Sequence, residues 1–270
     1  MLDEQEYDAS VVALASGARV ISVVNQKGGV GKTTTAINLS ASLAVADRTC
    51  LLVDCDPQGN ATTGLGIDRL ELKGGLYEFI LGPAAEEEAI TKTSLPRLDL
   101  IGSTSDLIGI EVEMVSVDER EYRLKKRLMP LKDRYDYIFV DCPPSLGFMT
   151  LNALTAADSV LVPLQCEYYA LEGLSQLLKT VKAVKNSLNP SLELAGILLT
   201  MYDSRNNLCL QVAEEVREHF KDGVFKTVIP RNVRLSEAPS HGKPVLLYDI
   251  KSSGAQGYLA LARELMGKGA

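Results

Sequence analysis

The chain has 270 residues, 46% of them hydrophobic and 23% charged, with 28 Lys and Arg against 35 Asp and Glu and a formal net charge of −7. This is the composition of a soluble globular protein long enough for one sizeable α/β core, and its acidic balance excludes a surface coated for nucleic acid, so any DNA contact has to come from a local patch. No apolar run is long enough to span a membrane, no basic-then-apolar leader opens the chain, and Cys50, Cys55, Cys142, Cys166 and Cys209 lack C-x-x-C spacing, as expected of free thiols in a reducing cytosol.

In chain order, residues 1–18 carry Asp3, Glu4, Glu6 and Asp8 and read as a flexible acidic extension before a single domain over 19–270. From Arg19, apolar strand-like runs at 19–25, 49–54, 98–102, 136–141, 159–164, 193–199 and 224–229 alternate with helical patterns. The helices are predicted at 31–46, 75–81, 105–132, 149–156, 167–188, 206–220 and 254–267. Such alternation specifies a mostly parallel sheet with helices on both faces. Cys50–Val53 and Tyr137–Val140 are apolar throughout, as strands buried on both faces should be.

The stretch Gln26-Lys27-Gly28-Gly29-Val30-Gly31-Lys32-Thr33-Thr34 links the first strand to the first helix. That is the context of a phosphate-binding loop. Glycines let backbone N–H groups converge on an anion, and the helix N-terminus adds partial positive charge. Lys32 is expected to reach the β- and γ-phosphates and the Thr33 hydroxyl to ligate Mg²⁺. Two features depart from the common pattern: Gln26 replaces the first glycine, and Lys27 adds a second lysine inside the loop.

Further on, Asp54 and Asp56 leave the carboxyl end of the second strand, where alternation points both the same way. Asp141 ends Tyr137-Ile138-Phe139-Val140 before Cys142-Pro143-Pro144, a Walker B pattern in which the carboxylate holds Mg²⁺ through water. The segment Pro163–Gly173 reads as core packing at a strand-to-helix junction. Leu199–Asn207 and Val228–Pro244 follow strands and should open onto the nucleotide face. Within 221–251, six cations (Lys221, Lys226, Arg231, Arg234, Lys243, Lys251) face three acids (Asp222, Glu237, Asp249), a local basic excess in an acidic chain.

The run K-G-G-V-G-K-T-T resembles the deviant Walker A loop of the ParA/MinD group of P-loop ATPases. The segments D-C-D-P-Q, Q-C-E-Y-Y-A-L-E-G and P-R-N-V-R-L-S-E-A-P-S-H-G-K-P are similar to those of chromosomal, Soj-type ParA proteins, and the likeness runs from 19 to about 266. The resemblance implies an ATP- and Mg²⁺-dependent partition ATPase that works as a homodimer sandwiching two nucleotides. It implies that Lys27, Gly28, Gly29, Val30, Gly31, Lys32, Thr33 and Thr34 bind the phosphates, with Lys27 reaching the partner's nucleotide. Lys27, Lys32 and Asp56 would be catalytic, Asp56 by orienting the attacking water, and Asp54 would support a Mg²⁺ shell formed with Thr33 and Asp141.

By the same resemblance, Met201, Pro230 and Asn232 flank the adenine, and Arg205 and Arg234 contact DNA phosphates, with Lys243 and Lys251 as weaker additions. Binding would be independent of sequence, hydrolysis would be stimulated by a ParB-like centromere-binding partner, and the protein would be cytoplasmic and nucleoid-associated, away from membranes. Ser253 stands where the family often has a second basic residue. A MinD-type membrane-surface regulator is the alternative, but it needs a basic amphipathic end, and Tyr258–Gly267 offers only Arg263, with Lys268 just beyond. An iron–sulfur reductase of the same superfamily would need paired cysteines, which the spacing does not supply.

Overall fold

The computed structural model describes residues 17–82 and 86–267. Seven strands form one sheet: β1 (Arg19–Val23), β2 (Cys50–Asp54), β3 (Ile90–Lys92), β4 (Leu98–Ile101), β5 (Tyr137–Asp141), β6 (Ser159–Gln165) and β7 (Glu193–Thr200). Their order is β3-β4-β2-β5-β1-β6-β7, parallel throughout except that β3 runs antiparallel to β4 at the edge. The helices are α1 (Lys32–Ala44), α2 (Asn60–Gly64), α3 (Leu76–Leu81), α4 (Glu86–Ala89), α5 (Ile110–Glu113) and α6 (Arg123–Leu128). They continue with α7 (Phe148–Ala156), α8 (Ala170–Ser187), α9 (Asn207–Phe220), α10 (Val233–Glu237), α11 (Val245–Tyr248) and α12 (Ser253–Gly267).

Two apolar layers flank the sheet, because alternate residues of each buried strand point to opposite faces. Val20, Leu51, Val53, Ile138 and Val140 meet helices α3, α6, α7, α8 and α9 on one side. Ile21, Val23, Leu52 and Phe139 meet α1, α11 and α12 on the other. In α8, Ala170, Leu174, Leu177, Val181 and Val184 are buried at helical spacing, so one stripe faces the sheet. In α12, Ala255, Tyr258, Leu261, Ala262 and Leu265 are buried, and the Tyr258 hydroxyl lies 3.1 Å from Thr35 Oγ1 of α1. The C-terminal helix is therefore packed into the core.

The chain leaves β1 toward β2 on one side, and leaves β5 toward β6 on the other. The carboxyl ends of β1, β2 and β5 therefore border a crevice at the point where the winding reverses, the usual ligand position in such sheets.

Several expected elements differ. Residues 224–229 do not form a strand. The segment follows β7 through bridges at Val224 and Pro230, but the Lys226 and Thr227 amides donate instead to the Glu264 carboxylate at 2.7 and 2.9 Å. The single helix expected over 105–132 is broken into short α and 3-10 turns, with Glu119 in a left-handed conformation and Pro130 in the last turn. Strand β3 and helices α2, α10 and α11 have no clear periodicity in the sequence, since elements of three to five residues are too short to carry one. The acidic extension lies outside the described residues except for Gly17 and Ala18. Ala18 is buried and donates to Lys132 O at 2.6 Å, so the folded region begins at least one residue before Arg19.

Candidate functional site

The loop between β1 and α1 is pinned from several directions. Asn25 Nδ2 donates to Pro163 O at 2.8 Å, Asn25 Oδ1 accepts from the Lys27 amide at 2.9 Å, and Thr200 Oγ1 donates to Val30 O at 2.8 Å. Gln26, the departure from the common pattern, donates to Gly173 O and to Gln176 Oε1, fastening the loop to α8. Gly31 caps α1 with φ at 89°, a left-handed conformation that a side chain would strain, and the amides of the first turn follow directly. Gly28, Gly29, Val30, Gly31, Lys32, Thr33 and Thr34 thus occupy one continuous turn at a helix N-terminus, the arrangement that binds phosphate.

The two lysines of the loop go different ways. Lys32 is 7% exposed and folds over the loop, donating to Lys27 O at 2.9 Å. Burial pulls its ammonium below the ordinary lysine value, while Asp141 and Asp56 oppose that. Lys27 leaves the loop and pairs with Glu167 beyond β6, both side chains being nearly half exposed.

Asp54 and Asp141 are register partners at the ends of β2 and β5. Both are wholly buried, and both carboxyl groups are pushed above the ordinary carboxylate range, Asp54 to about 6, chiefly by burial. Their situations differ. Asp54 accepts from Thr62 Oγ1 at 2.7 Å, Thr62 N at 2.8 Å and Asp56 N at 3.3 Å. Neither oxygen of Asp141 has a hydrogen-bond partner of good geometry, and Thr33 and Lys32 are the neighbours that favour its charged form. A buried carboxylate left in this way is costly, and a hydrated divalent cation would relieve it. Among the described residues, no group of three or more His, Cys, Asp and Glu could hold a metal by itself. A cation here would share its shell with phosphate and water. Thr33 and Asp141 fit that arrangement, whereas Asp54 is largely occupied in bracing the turn that follows it.

Asp56 is 7% exposed, accepts from Gln58 N at 2.9 Å, and lies close enough to Lys32, Asp54 and Asp141 to influence each. Sequence alternation points Asp54 and Asp56 toward one target, and the folded chain brings both beside Asp141.

Beyond β7, Tyr202 pairs with Pro230, bringing Met201 and Pro230 to neighbouring positions next to the loop that Thr200 fastens. Met201 has φ at 49°, a left-handed conformation unusual for methionine. Asn232 caps α10 by accepting from Arg234 N at 2.9 Å and donates to Ser253 Oγ at 2.8 Å. Arg205 is held by both oxygens of Asp203, with two contacts of 2.9 Å, and this pulls the Asp203 carboxyl down to about 2. Arg234 pairs with Glu237 at 2.7 Å and Asp249 at 3.4 Å, and Asp249 also accepts from the Lys251 amide. The Asp249 carboxylate thus takes the Arg234 guanidinium and the main chain of Lys251, and the Lys243 and Lys251 residues are exposed. Arg231, part of the basic excess but without a role in the sequence reading, donates its amide to Tyr202 O and lies near Asp203, so it accompanies Arg205.

Residues 18–194 match a protein family described as an AAA domain. The chromosome partitioning protein ParA of Myxococcus xanthus is 61% identical over 252 residues, covering 93% of this chain and 89% of its own. This chain belongs to the ParA/Soj family of chromosome-partitioning ATPases. The sporulation initiation inhibitor protein Soj of Bacillus subtilis is 56% identical over 251 residues, covering 93% of this chain and 99% of its own. The crystal structure of cobyrinic acid a,c-diamide synthase from Mycobacterium smegmatis with bound ADP and magnesium superposes with a TM-score of 0.81 at 39% identity, covering 92% of this chain and 94% of that one.

In this ParA/Soj member, the glycine-rich turn, the strand-end carboxylates and the two lysines are readable from the sequence. The supporting residues are not. Thr62, which braces Asp54, and Arg69, which bonds three main-chain carbonyls nearby, belong to no motif and carry no local signal. Among the described residues, no helix is long and apolar enough to cross a membrane.

Proposed function

We propose that this chain is an ATP-driven DNA-segregation switch whose ATP-bound form is a nucleotide-sandwich homodimer. One observation carries the reading. The loop has one lysine folded over it and a second, Lys27, that turns outward to a half-exposed position, which supports a role for Lys27 outside its own loop. In this mechanism the loop amides and Lys32 bind the β- and γ-phosphates of ATP, and Lys32 exchanges its bond to Lys27 O for phosphate oxygens. Thr33 and Asp141 would hold Mg²⁺, which when bound would offset the negative charge of the phosphates, and Asp54 keeps the adjoining turn in place. Asp56, with one oxygen tied to Gln58 N, offers the other to the attacking water. Lys27 leaves Glu167 and adds positive charge to the partner's phosphates during transfer to water, giving ADP and phosphate. Met201, Pro230 and Asn232 border the adenine.

Dimerisation doubles the patch formed by Arg205, Arg234, Lys243 and Lys251, so ATP governs affinity for DNA phosphates without base readout. A ParB-like partner accelerates hydrolysis, after which the dimer separates and leaves the nucleoid. The deciding experiment measures binding to random-sequence duplex DNA and to anionic liposomes with ATP, ADP or no nucleotide. DNA binding only with ATP, lost in Lys27→Ala and weakened by salt, is the expected result. ATP-dependent liposome binding without DNA binding would replace this reading with that of a membrane-surface regulator.

A further inference from the structure

Arg69 lies in the loop after α2, and its guanidinium grips main chain only. Nε donates to Ser103 O at 2.9 Å, Nη1 to Gln58 O at 2.9 Å and Nη2 to Pro57 O at 2.7 Å. Pro57 and Gln58 directly follow Asp56, and Ser103 follows β4, the strand beside β2.

The bonding pattern is specific. The peptide unit between Pro57 and Gln58 is held at its carbonyl by Arg69 and at its N–H by Asp56 Oδ1, 2.9 Å away. The next unit, between Gln58 and Gly59, is held at its carbonyl by Arg69 and at its N–H by the Asp56 carbonyl, again at 2.9 Å. Each peptide is planar and rigid, so fixing its carbonyl fixes the direction of its N–H. Arg69 therefore sets the two planes that orient Asp56. A side chain at Gly59 would put its Cβ 2.5 Å from Arg69 Nε, so the missing side chain is what lets the guanidinium lie against this turn. Lysine, with one compact donor head, cannot reproduce a planar fork that grips two planes and anchors to a third carbonyl.

We infer that Arg69 is a positioning residue for ATP hydrolysis, holding the Asp56 carboxylate on its line to the attacking water through the Asp56–Gly59 turn. This rests on the reading of Asp56 as the group that orients that water.

The test compares wild type with Arg69→Ala, Arg69→Lys, Asp56→Ala and the double variant, using Leu70→Ala, a neighbour 93% exposed, as the control. Turnover and ATP affinity are measured separately. Arg69→Ala should lower kcat on the order of 10- to 100-fold, the effect of a small misplacement of a reacting group, while ATP affinity changes less than about twofold. Millimolar ethylguanidinium should restore part of that loss, Arg69→Lys should not, and Leu70→Ala should match wild type. In an Asp56→Ala background, removing Arg69 should cost nothing further, because both act through one carboxylate. Unchanged kcat in Arg69→Ala, or kcat and affinity falling together without rescue, would overturn the role of Arg69. Normal turnover by Asp56→Ala would instead overturn the reading of Asp56, so the two failures are distinguishable.

Discussion

Asp141 has both oxygens buried and without a hydrogen-bond partner of good geometry, and its charge is disfavoured by burial and by Asp54. Function and stability should therefore oppose each other at this position. Asp141→Asn removes a buried charge that Lys32 and Thr33 only partly offset and should raise the melting temperature of the nucleotide-free protein, while Mg²⁺-dependent ATP binding and turnover fall sharply. Calorimetry with and without Mg-ATP checks both parts. The pH dependence follows from the same physics. Asp54 titrates at about 6 in the fold, above its ordinary carboxylate value of 3.8, so between those values the folded state binds more protons than the unfolded one. The contribution of Asp54 to stability is thus largest at low pH and declines as pH rises from about 4 to about 6. Asp54→Asn keeps an oxygen acceptor for Thr62 but should flatten that part of the profile, as denaturant melts at several pH values would reveal. Asp56→Ala should bind ATP and dimerise yet barely turn over, which nucleotide binding and phosphate release measured side by side would establish.

Helix α1 joins the site to the far edge of the core. It begins at the phosphate loop and packs along α12, with Thr35 meeting the buried hydroxyl of Tyr258. Tyr258→Phe leaves Thr35 without that partner and should cost about 1 kcal/mol. Tyr258→Ala should cost about 3–5 kcal/mol, because the site is enclosed by α1 and α12 and cannot readily collapse. Urea melts of both variants test this ordering, and a larger loss in Tyr258→Phe would refute it. Elements with long periodic faces, such as α8 and α12, are readable because one stripe of the helix must be apolar whatever its neighbours are. The segment 224–229 shows the opposite case. Its apolar pattern suits a strand, but Glu264 of α12 captures two of its amides, a contact invisible to local pattern.

For the whole molecule, the net charge of −7 is compatible with DNA binding only if the basic residues are concentrated and their own acids yield to phosphate. Arg205 is occupied by Asp203, and Arg234 by Glu237 and Asp249, so under the proposed function DNA would compete with intramolecular carboxylates. Affinity should accordingly be modest in one subunit and depend on doubling the patch. Arg234→Ala should weaken ATP-dependent binding about equally across sequences and make the slope of log affinity against log salt shallower by roughly one unit for each phosphate no longer neutralised. Fluorescence anisotropy over a salt series measures both, and weakening confined to one sequence would contradict phosphate-only binding.

The sequence by itself determined the parallel α/β architecture, the phosphate loop and the identity of the strand-end carboxylates. Strand periodicity, glycine conformation and lysine charge are local properties, written in residues that adjoin one another. Tertiary structure alone decided what each group can do. It left Asp141 without a hydrogen bond of good geometry while binding Asp54 to Thr62, sent Lys27 outward to Glu167, and set Arg69 across the turn that carries Asp56. Those outcomes depend on burial and on contacts between distant segments, and a hydrogen bond spanning 140 residues, as between Lys27 and Glu167, leaves no trace in the spacing of either end.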